Sequence, residues 1–453
     1  MSRTANESIE SSAVGYIPSS WQVTSIREAC SDFINGGTPS TKQADNWKGD
    51  IPWITGADFQ ETFKIANVRR YITKKALNSS SSHLIPKGNI LIVTRTGVGK
   101  IAIAPFDVAI SQDITGLILK KEQFSVGFFF YCLQSLVDDF KKHNQGTSIN
   151  GIIRKDLEKK YVPCPSIVEQ GSIANILSKV DEIIEMTEAA IEKYRAIKAG
   201  MIHDLFTRGM DIKTGKLRPS FQEDHDLYKD TPLGLTPKVW EILKIGDFAQ
   251  IKGGKRMPAG KEFSETITPF PYLRVTDMQD GGINQSDIKY VPREIEPVIR
   301  NYKISADDVY VTIAGTLGLF GTIPDNLDNA QLTENAARIT EFDRSVYNRD
   351  FIKYQCSSSV IQNQVIREIG VGGGVPKLAL FRIAKFLFLR PSLEEQEMMV
   401  ERIRCLDHEL ESEKFSLYKM KHIKQGLMSD LLTGKVRVQI DAYRKGVTNA
   451  ATN

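Results

Sequence analysis

Two long stretches carry apolar residues in alternating steps of four and three. The first set is Ile173, Leu177, Val180, Ile184, Thr187, Ile191, Tyr194, Lys198, Met201 and Leu205. The second is Met399, Ile403, Leu406, Leu410, Glu413, Leu417, Met420, Lys424, Leu427 and Leu431. The seam holds for more than four heptads in each, which predicts two long coiled-coil helices. A Ser-x-x-Glu capping box precedes both, Ser166 and Glu169 after Pro165, and Ser392 and Glu395 after Pro391. A helix from about 168 to 206 would be roughly 58 Å long, too long to be covered by one small domain. Each stripe needs a partner, and the other copy is the natural one. The chain path favours an antiparallel pair. The polar entries Thr187, Lys198, Glu413 and Lys424 weaken the seam and are placed to set its register.

The same doubling runs through the segments between the helices. Gly15–Trp21 reads GYIPSSW and Gly234–Trp240 reads GLTPKVW. Pro52 recurs as Pro271, an offset of 219. Thr94 and Gly97 match Thr312 and Gly315 at 218. The offset is then 226 for Gly146 with Gly372, Gln170 with Gln396 and Asp181 with Asp407, and returns to 219 where GKLR at 215–218 matches GKVR at 434–437. Loops absorb insertions whereas a packed helix in register does not, so each half is a variable globular domain followed by a length-locked helix. The boundaries expected are a first globular domain at 12–164, a helical spacer at 165–208, a linker at 209–231, a second globular domain at 232–390 and a second spacer at 391–436. The fold class is α/β in the α+β sense, with a pseudo-two-fold internal repeat. Strands are expected in 88–97 and 307–316, and helices in 126–143 and within 347–369. Gly-rich loops follow at 146–151 and 370–377.

Composition changes this picture little. The chain has 453 residues and a net charge of +4, which permits an anionic partner without requiring one. Five scattered cysteines, Cys30, Cys132, Cys164, Cys356 and Cys405, contain no Cys-x-x-Cys pair, so neither a zinc ribbon nor a disulfide framework is indicated. Buried reduced thiols are expected. The polar N-terminus has no signal-peptide core and no apolar run approaches membrane-spanning length, so a cytoplasmic location is expected.

Catalytic patterns fail when tested. The Gly99-Lys100 pair has Thr94 where a Walker A motif needs glycine, and Ile101 follows where Ser or Thr should stand. Val375 occupies the final glycine position of a Gly-x-Gly-x-x-Gly pattern. No methyltransferase Asn-Pro-Pro-Tyr motif, His-Glu-x-x-His motif or serine elbow is present. What remains are polar and basic residues beside turns. In the first half these are Lys42, Arg95, Thr96, Lys100, Thr147, Asn150 and Arg154. In the second they are Lys252, Lys255, Arg256, Arg274, Thr316 and Lys377. Arginine and lysine pair with phosphates or guanine edges and asparagine reads adenine, so the set is compatible with DNA binding. Singly, each also reads as a solvated surface group.

The order of domain, helix, domain, helix resembles the specificity subunit of type I DNA restriction–modification systems. The phrases that carry the resemblance are GYIPSSW and GLTPKVW, PCPSIVEQGSIANILSKVDEII and RPSLEEQEMMVERIRCLDHEL, and LLTGKVRV near the end. It covers residues 12 to 438 or nearly so. It implies two target recognition domains, each reading one half of a split, asymmetric double-stranded DNA site, with the antiparallel coiled coil setting the gap. It further implies a subunit without catalysis, metal or cofactor of its own. Two modification subunits would supply S-adenosylmethionine-dependent N6-adenine methylation, and restriction subunits would add ATP- and magnesium-dependent translocation and cleavage. No membrane partner is implied. Two other readings stay open at this level: a coiled-coil tether with two protein-binding heads, and a degenerate specificity subunit. A self-contained type IIG-like enzyme would need the motifs that are missing.

Overall fold

The computed structural model describes residues 8–59, 63–65, 68–95, 99–137, 154–369 and 377–438. The chain divides into two compact units. One is Met1–Glu188 with Phe415–Asn453, and the other is Ala189–Lys414. The long helices are Ile167–Thr207 and Leu393–Leu432, of 41 and 40 residues. Each gives its first half to one unit and its second half to the other.

Within the first unit, two four-stranded sheets stack, one mixed and one antiparallel. One has the order Arg70–Ile72, Ile51–Ile54, Val108–Ile110, His83–Ile85, and the other Cys30–Asn35, Ile114–Leu119, Ile90–Val93, Ile101–Ile103. The second unit repeats both orders. One sheet runs Lys289–Tyr290, Pro271–Leu273, Ala330–Leu332, Lys303–Ile304, and the other Gln250–Gly253, Ala336–Thr340, Val309–Thr312, Phe320–Gly321. Each first-named sheet holds one parallel pair, Ile51–Ile54 with Val108–Ile110 and Pro271–Leu273 with Ala330–Leu332. The central strands are buried on both faces, which is why they read as unbroken apolar runs. Ile90 and Ile92 face a core built with Phe128, Phe129 and the helix residues Ile173 and Leu177. Leu91 and Val93 face the other sheet beside Ile54 and Ile110. Val309, Val311 and Tyr310 divide in the same way.

The hydrogen bonds correct the repeat alignment at one place. Val93 takes its N–H to the Lys100 carbonyl and Gly99 returns to Val93, while Thr312 goes to Leu319 and Gly318 returns to Thr312. Val93 therefore stands where Thr312 stands, at 219, and Thr94 matches Ile313. The helix at the start of 126–143 is Val126–Ser135. Its counterpart is Arg349–Ser357, and a second helix, Ser359–Ile369, follows after the extended Ser358. Of the Gly-rich loops, 146–151 and all of 370–377 except Lys377 lie outside the described residues.

The repeated phrases meet in space. In the first unit the Trp21 indole N–H donates to Glu169 at 3.2 Å, and Arg437 forks onto the same carboxylate at 2.7 and 3.1 Å. In the second unit Trp240 donates to Glu395 at 3.1 Å, and Arg218 forks onto it at 2.5 and 2.8 Å. Only half of each expected capping box is therefore present. Ser166 and Ser392 accept the N–H of Glu169 and Glu395, but the carboxylates turn to the tryptophan and arginine. A buried carboxylate gains more from a guanidinium fork than from one backbone N–H. Gly209 and Gly434, at φ +68° and +69°, follow the helix ends beside Trp240 and Trp21, and an added Cβ would collide with them or their neighbours.

The neighbouring glutamine bolts each domain to its helix. Gln170 donates to the carbonyls of Gln123 and Pro165 and accepts from the Ser125 N–H, each at 2.9 Å. Gln396 does the same with Val346, Pro391 and Asn348. About three turns further along the helix, Tyr131 donates to Asp181 at 2.8 Å and Lys424 pairs with that aspartate at 2.6 Å. Tyr354, Asp407 and Lys198 repeat the arrangement at 2.7 and 2.5 Å. These pairs run the helices antiparallel within each unit. Of the seam positions, Ile173, Leu177, Ile184, Ile191, Met399, Ile403, Leu410 and Leu431 are buried, and Val180, Leu406, Leu417 and Leu427 are half-buried. Cys30, Cys132 and Cys356 are buried, and burial pushes the Cys30 thiol up to about 12. Cys164 is half-buried, and Cys405 departs from the expectation by facing solvent on the second helix. Among the described residues no helix is long and apolar enough to cross a membrane.

Candidate nucleic-acid interface

Register decides which loops emerge together. In the second unit Gly253 lies opposite Ala337 and Thr312 opposite Ala336. The strand Gln250–Gly253 thus leaves its sheet where Ala336–Thr340 enters and Val309–Thr312 ends. Beyond that edge the Lys255 N–H donates to the Leu332 carbonyl at 2.7 Å, and the N–H groups of Ile313 and Ala314 share the Asn335 carbonyl. Lys377 pairs by its backbone with Ala314. Lys255, Arg256, Thr316 and Lys377, far apart in sequence, are collected at one end of one sheet. The first unit builds the same end. Asn35 lies opposite Thr115 and Val93 opposite Ile114, so Arg95 and the segment leading to Lys42 leave from it.

The side chains at and near these ends differ in how free their charge is. Lys42, Arg95, Thr316 and Lys377 are exposed. Among the described residues, the side chains of Lys42, Arg95 and Lys377 have no hydrogen-bond or ion-pair partner. Arg256 is paired with Glu334 at 2.6 Å, yet its side chain is 76% exposed. Such an exposed pair is weak and exchanges readily for a phosphate. Lys255 sits over the Tyr302 ring at 5.7 Å, and Lys252 pairs with Glu341.

Three other candidates are built into the fold. The Lys100 ammonium donates to the carbonyls of Phe59 and Gly56 at 3.2 and 3.4 Å. Arg154 pairs with Glu158 at 2.5 Å and lies over Phe33 at 5.2 Å. Arg274 donates to Asp277 at 2.6 and 3.0 Å and also reaches Asp287. Asp277 is 4% exposed, so Arg274 is its counterion, and withdrawing it would strand a buried carboxylate. The first unit solves the same problem differently. Arg69, eleven residues downstream, holds Asp58 at 2.6 Å. Burial alone would raise the Asp58 carboxyl, but hydrogen bonds from Arg69 and Thr55 hold it below its usual range. Thr96, Thr147 and Asn150 lie outside the described residues. Among the described residues no group of three or more His, Cys, Asp or Glu side chains is placed to hold a metal.

The family model for the type I restriction modification DNA specificity domain matches this chain twice, at residues 18–193 and 237–417. The chain belongs to that family. As a specificity-domain protein it is a DNA sequence-recognition chain with the domain in duplicate. It is similar along nearly its whole length to the MjaIX specificity subunit of a type I restriction enzyme from Methanocaldococcus jannaschii, with 25% identity over 439 residues, covering 94% of this chain and 96% of that one. The EcoBI specificity subunit from Escherichia coli is 20% identical over 453 residues, covering 96% and 91%. The crystal structure of a type I restriction–modification S subunit from M. genitalium superposes with a TM-score of 0.55 at 18% identity, covering 91% of this chain and 96% of that one. The likeness extends over both copies of the specificity domain, so the mixed fold with its long helices is the fold of this family.

The strongest internal signals of this duplicated domain, Trp21, Glu169 and Arg437 with Trp240, Glu395 and Arg218, are missed by a search for catalytic or DNA-reading residues. The signal that could have found them was the repeat itself. The three phrases that recur most faithfully are the three that touch.

Proposed function

We propose that this chain is the non-catalytic specificity subunit of a type I restriction–modification complex. Each unit reads one half of a split, non-palindromic double-stranded DNA site. One observation carries the reading: the same DNA specificity domain occurs twice, and its equivalent sheet ends present different side chains, Lys42 and Arg95 in one copy and Lys255, Arg256, Thr316 and Lys377 in the other. Phosphate contacts would set the position of each unit, and side chains reaching base edges would set the sequence. Thr96, Thr147 and Asn150 remain candidates for the first half-site on residue type alone. Lys100, Arg154, Lys252 and Arg274 fit a supporting part better, because each already has a partner within the fold.

The helices, running from one unit into the other, would set the gap between half-sites. Two near-equivalent faces on one chain suit two copies of one modification subunit, with restriction subunits joining them. S-adenosylmethionine, ATP and magnesium chemistry belongs to those partners in this reading.

The test is long-read sequencing of genomic DNA for N6-methyladenine, with the gene intact and deleted. Loss of one bipartite motif on deletion is the expected result and gives both half-sites and the gap. An unchanged methylation pattern, with the neighbouring methyltransferase expressed, would overturn the reading in favour of a tether or a degenerate subunit.

A further inference from the structure

Near the loop end of the second unit's sheet lies a cavity of about 410 Å³ lined by Gln364, Arg367, Glu368, Phe381, Arg382, Lys385 and Phe386. Its makeup is unusual for a protein surface. Phe381 is 61% exposed. Two cations lie near the ring, with the Arg382 guanidinium 5.9 Å and the Lys385 ammonium 5.4 Å from its centroid. Arg367 and Lys385 are exposed, and among the described residues neither has an ion-pair partner. Glu368 is the one acidic lining residue, and Arg382 answers it at 2.9 Å.

The placement ties the cavity to the loops described above. The short helix Leu380–Ala384 follows Lys377, which pairs with Ala314 next to Thr316. Its first residue, Leu380, packs near Gly253 at the edge of the same sheet. Among the described residues the first unit carries different side chains at the equivalent helix. Its equivalent helix is Arg154–Lys159, aligned by matching hydrogen bonds: Lys160 to Leu157 with Phe386 to Ile383, and Ile26 to Lys160 with Ile245 to Phe386. That alignment puts Lys155 where the second unit has Phe381, and Asp156 where it has Arg382.

A lone exposed ring is ordinary on a protein surface, but one set beside unpaired cations offers a face to a partner. Unpaired cations around it select an anionic partner, and an aromatic face adds stacking on a sugar or base. We propose that the Phe381 cavity is a backbone anchor for DNA, built on a ring that stands where the first unit has Lys155, gripping phosphate and sugar beside the second unit's half-site without reading sequence. The inference rests on the DNA-recognition reading above. It goes further by giving the two half-sites unequal grips, so that affinity and its salt dependence are concentrated on the second unit's side.

The experiment uses the full chain co-purified with its methyltransferase. Duplexes carrying the genomic motif, and scrambled duplexes of equal length, are titrated by fluorescence anisotropy across a range of NaCl. The variant combines Phe381→Ala, Arg367→Gln and Lys385→Gln, all exposed positions, and leaves Arg382 on Glu368. The expected result is weaker binding to both duplexes by a similar factor, an unchanged methylation motif, and a salt slope of log K reduced by about 0.9 for each cation removed. If wild type prefers the motif duplex and the variant keeps the wild-type slope, the anchor is overturned while the DNA reading stands. Unchanged DNA binding with loss of the co-purified methyltransferase would assign the cavity to an acidic protein segment and also overturn it. If wild type shows no preference for the motif duplex, both readings fall.

Discussion

Glu169 and Glu395 are 1% and 3% exposed, and each is held by one tryptophan and one arginine. Taking away one member of a buried pair leaves the other charge stranded in low dielectric, which costs more than the pair is worth when intact. Arg437→Met is expected to lower stability by about 3 kcal/mol, read as a fall in the urea midpoint. Adding Glu169→Gln should recover part of that loss, since the stranded charge is gone. An unchanged midpoint in the single variant would show that the clasp carries no stability. Asp350 gives a second residue-scale expectation. Burial alone would raise its carboxyl, but Lys353, Arg349 and Arg404 hold it below the usual carboxylate range. A depressed folded-state pKa adds stability that is complete above the unfolded value of about 4 and disappears as pH falls through the folded value. Asp350→Asn should therefore flatten the acid limb of stability against pH, checked by denaturant melts between neutral and acid pH. Gly127 occupies the equivalent place in the first unit, so this acid sensitivity belongs to the second.

At the scale of elements, the lysines that break the heptad pattern are the ones that define it. Lys198 meets Asp407 in one unit and Lys424 meets Asp181 in the other, so each unit pairs its own helix segments antiparallel. Seven residues inserted after Ala189 in one helix and after Ser416 in the other would keep the heptad seam of each and lengthen both by about 10 Å, or about three base pairs of DNA. The methylated motif is expected to keep both half-sites and widen its gap. The same insertion in one helix alone should lower stability, because every seam residue beyond it loses its partner. A wild-type gap after the double insertion would remove the helices from the ruler role. The Gln170 and Gln396 bolts explain why the offset of 226 holds where it does. An insertion between the glutamine and the helix below it would pull the bolt from its carbonyls.

For the molecule as a whole, the duplication predicts effects confined to one half-site. Arg95→Ala should change recognition at the first unit's half-site and leave the other intact, read from the methylated motif in cells carrying the variant. Equal loss at both would place Arg95 outside base or phosphate contact. Lys100→Ala is expected to act differently, by loosening the turn whose carbonyls it holds, so its effect should appear in stability before it appears in the motif.

Periodicity, repeat spacing and local phrases were enough to determine that this chain has two long paired helices, two related domains with strands within 88–97 and 307–316, and membership of a family by its recurring motifs. Those properties are local in sequence or arise from comparing one segment with another, and a single chain displays both. Tertiary structure alone decided three things. It decided that Glu169 serves Trp21 and Arg437 instead of closing a capping box. It decided that Arg274 neutralises a buried aspartate while Lys377 and Arg95 stay exposed. It also gathered Arg367, Phe381 and Lys385 around one cavity. The reason is common to all three: whether a charge is spent inside the fold or offered to a partner depends on which distant residue the packing brings within about 3 Å, and residue type and spacing are silent about that.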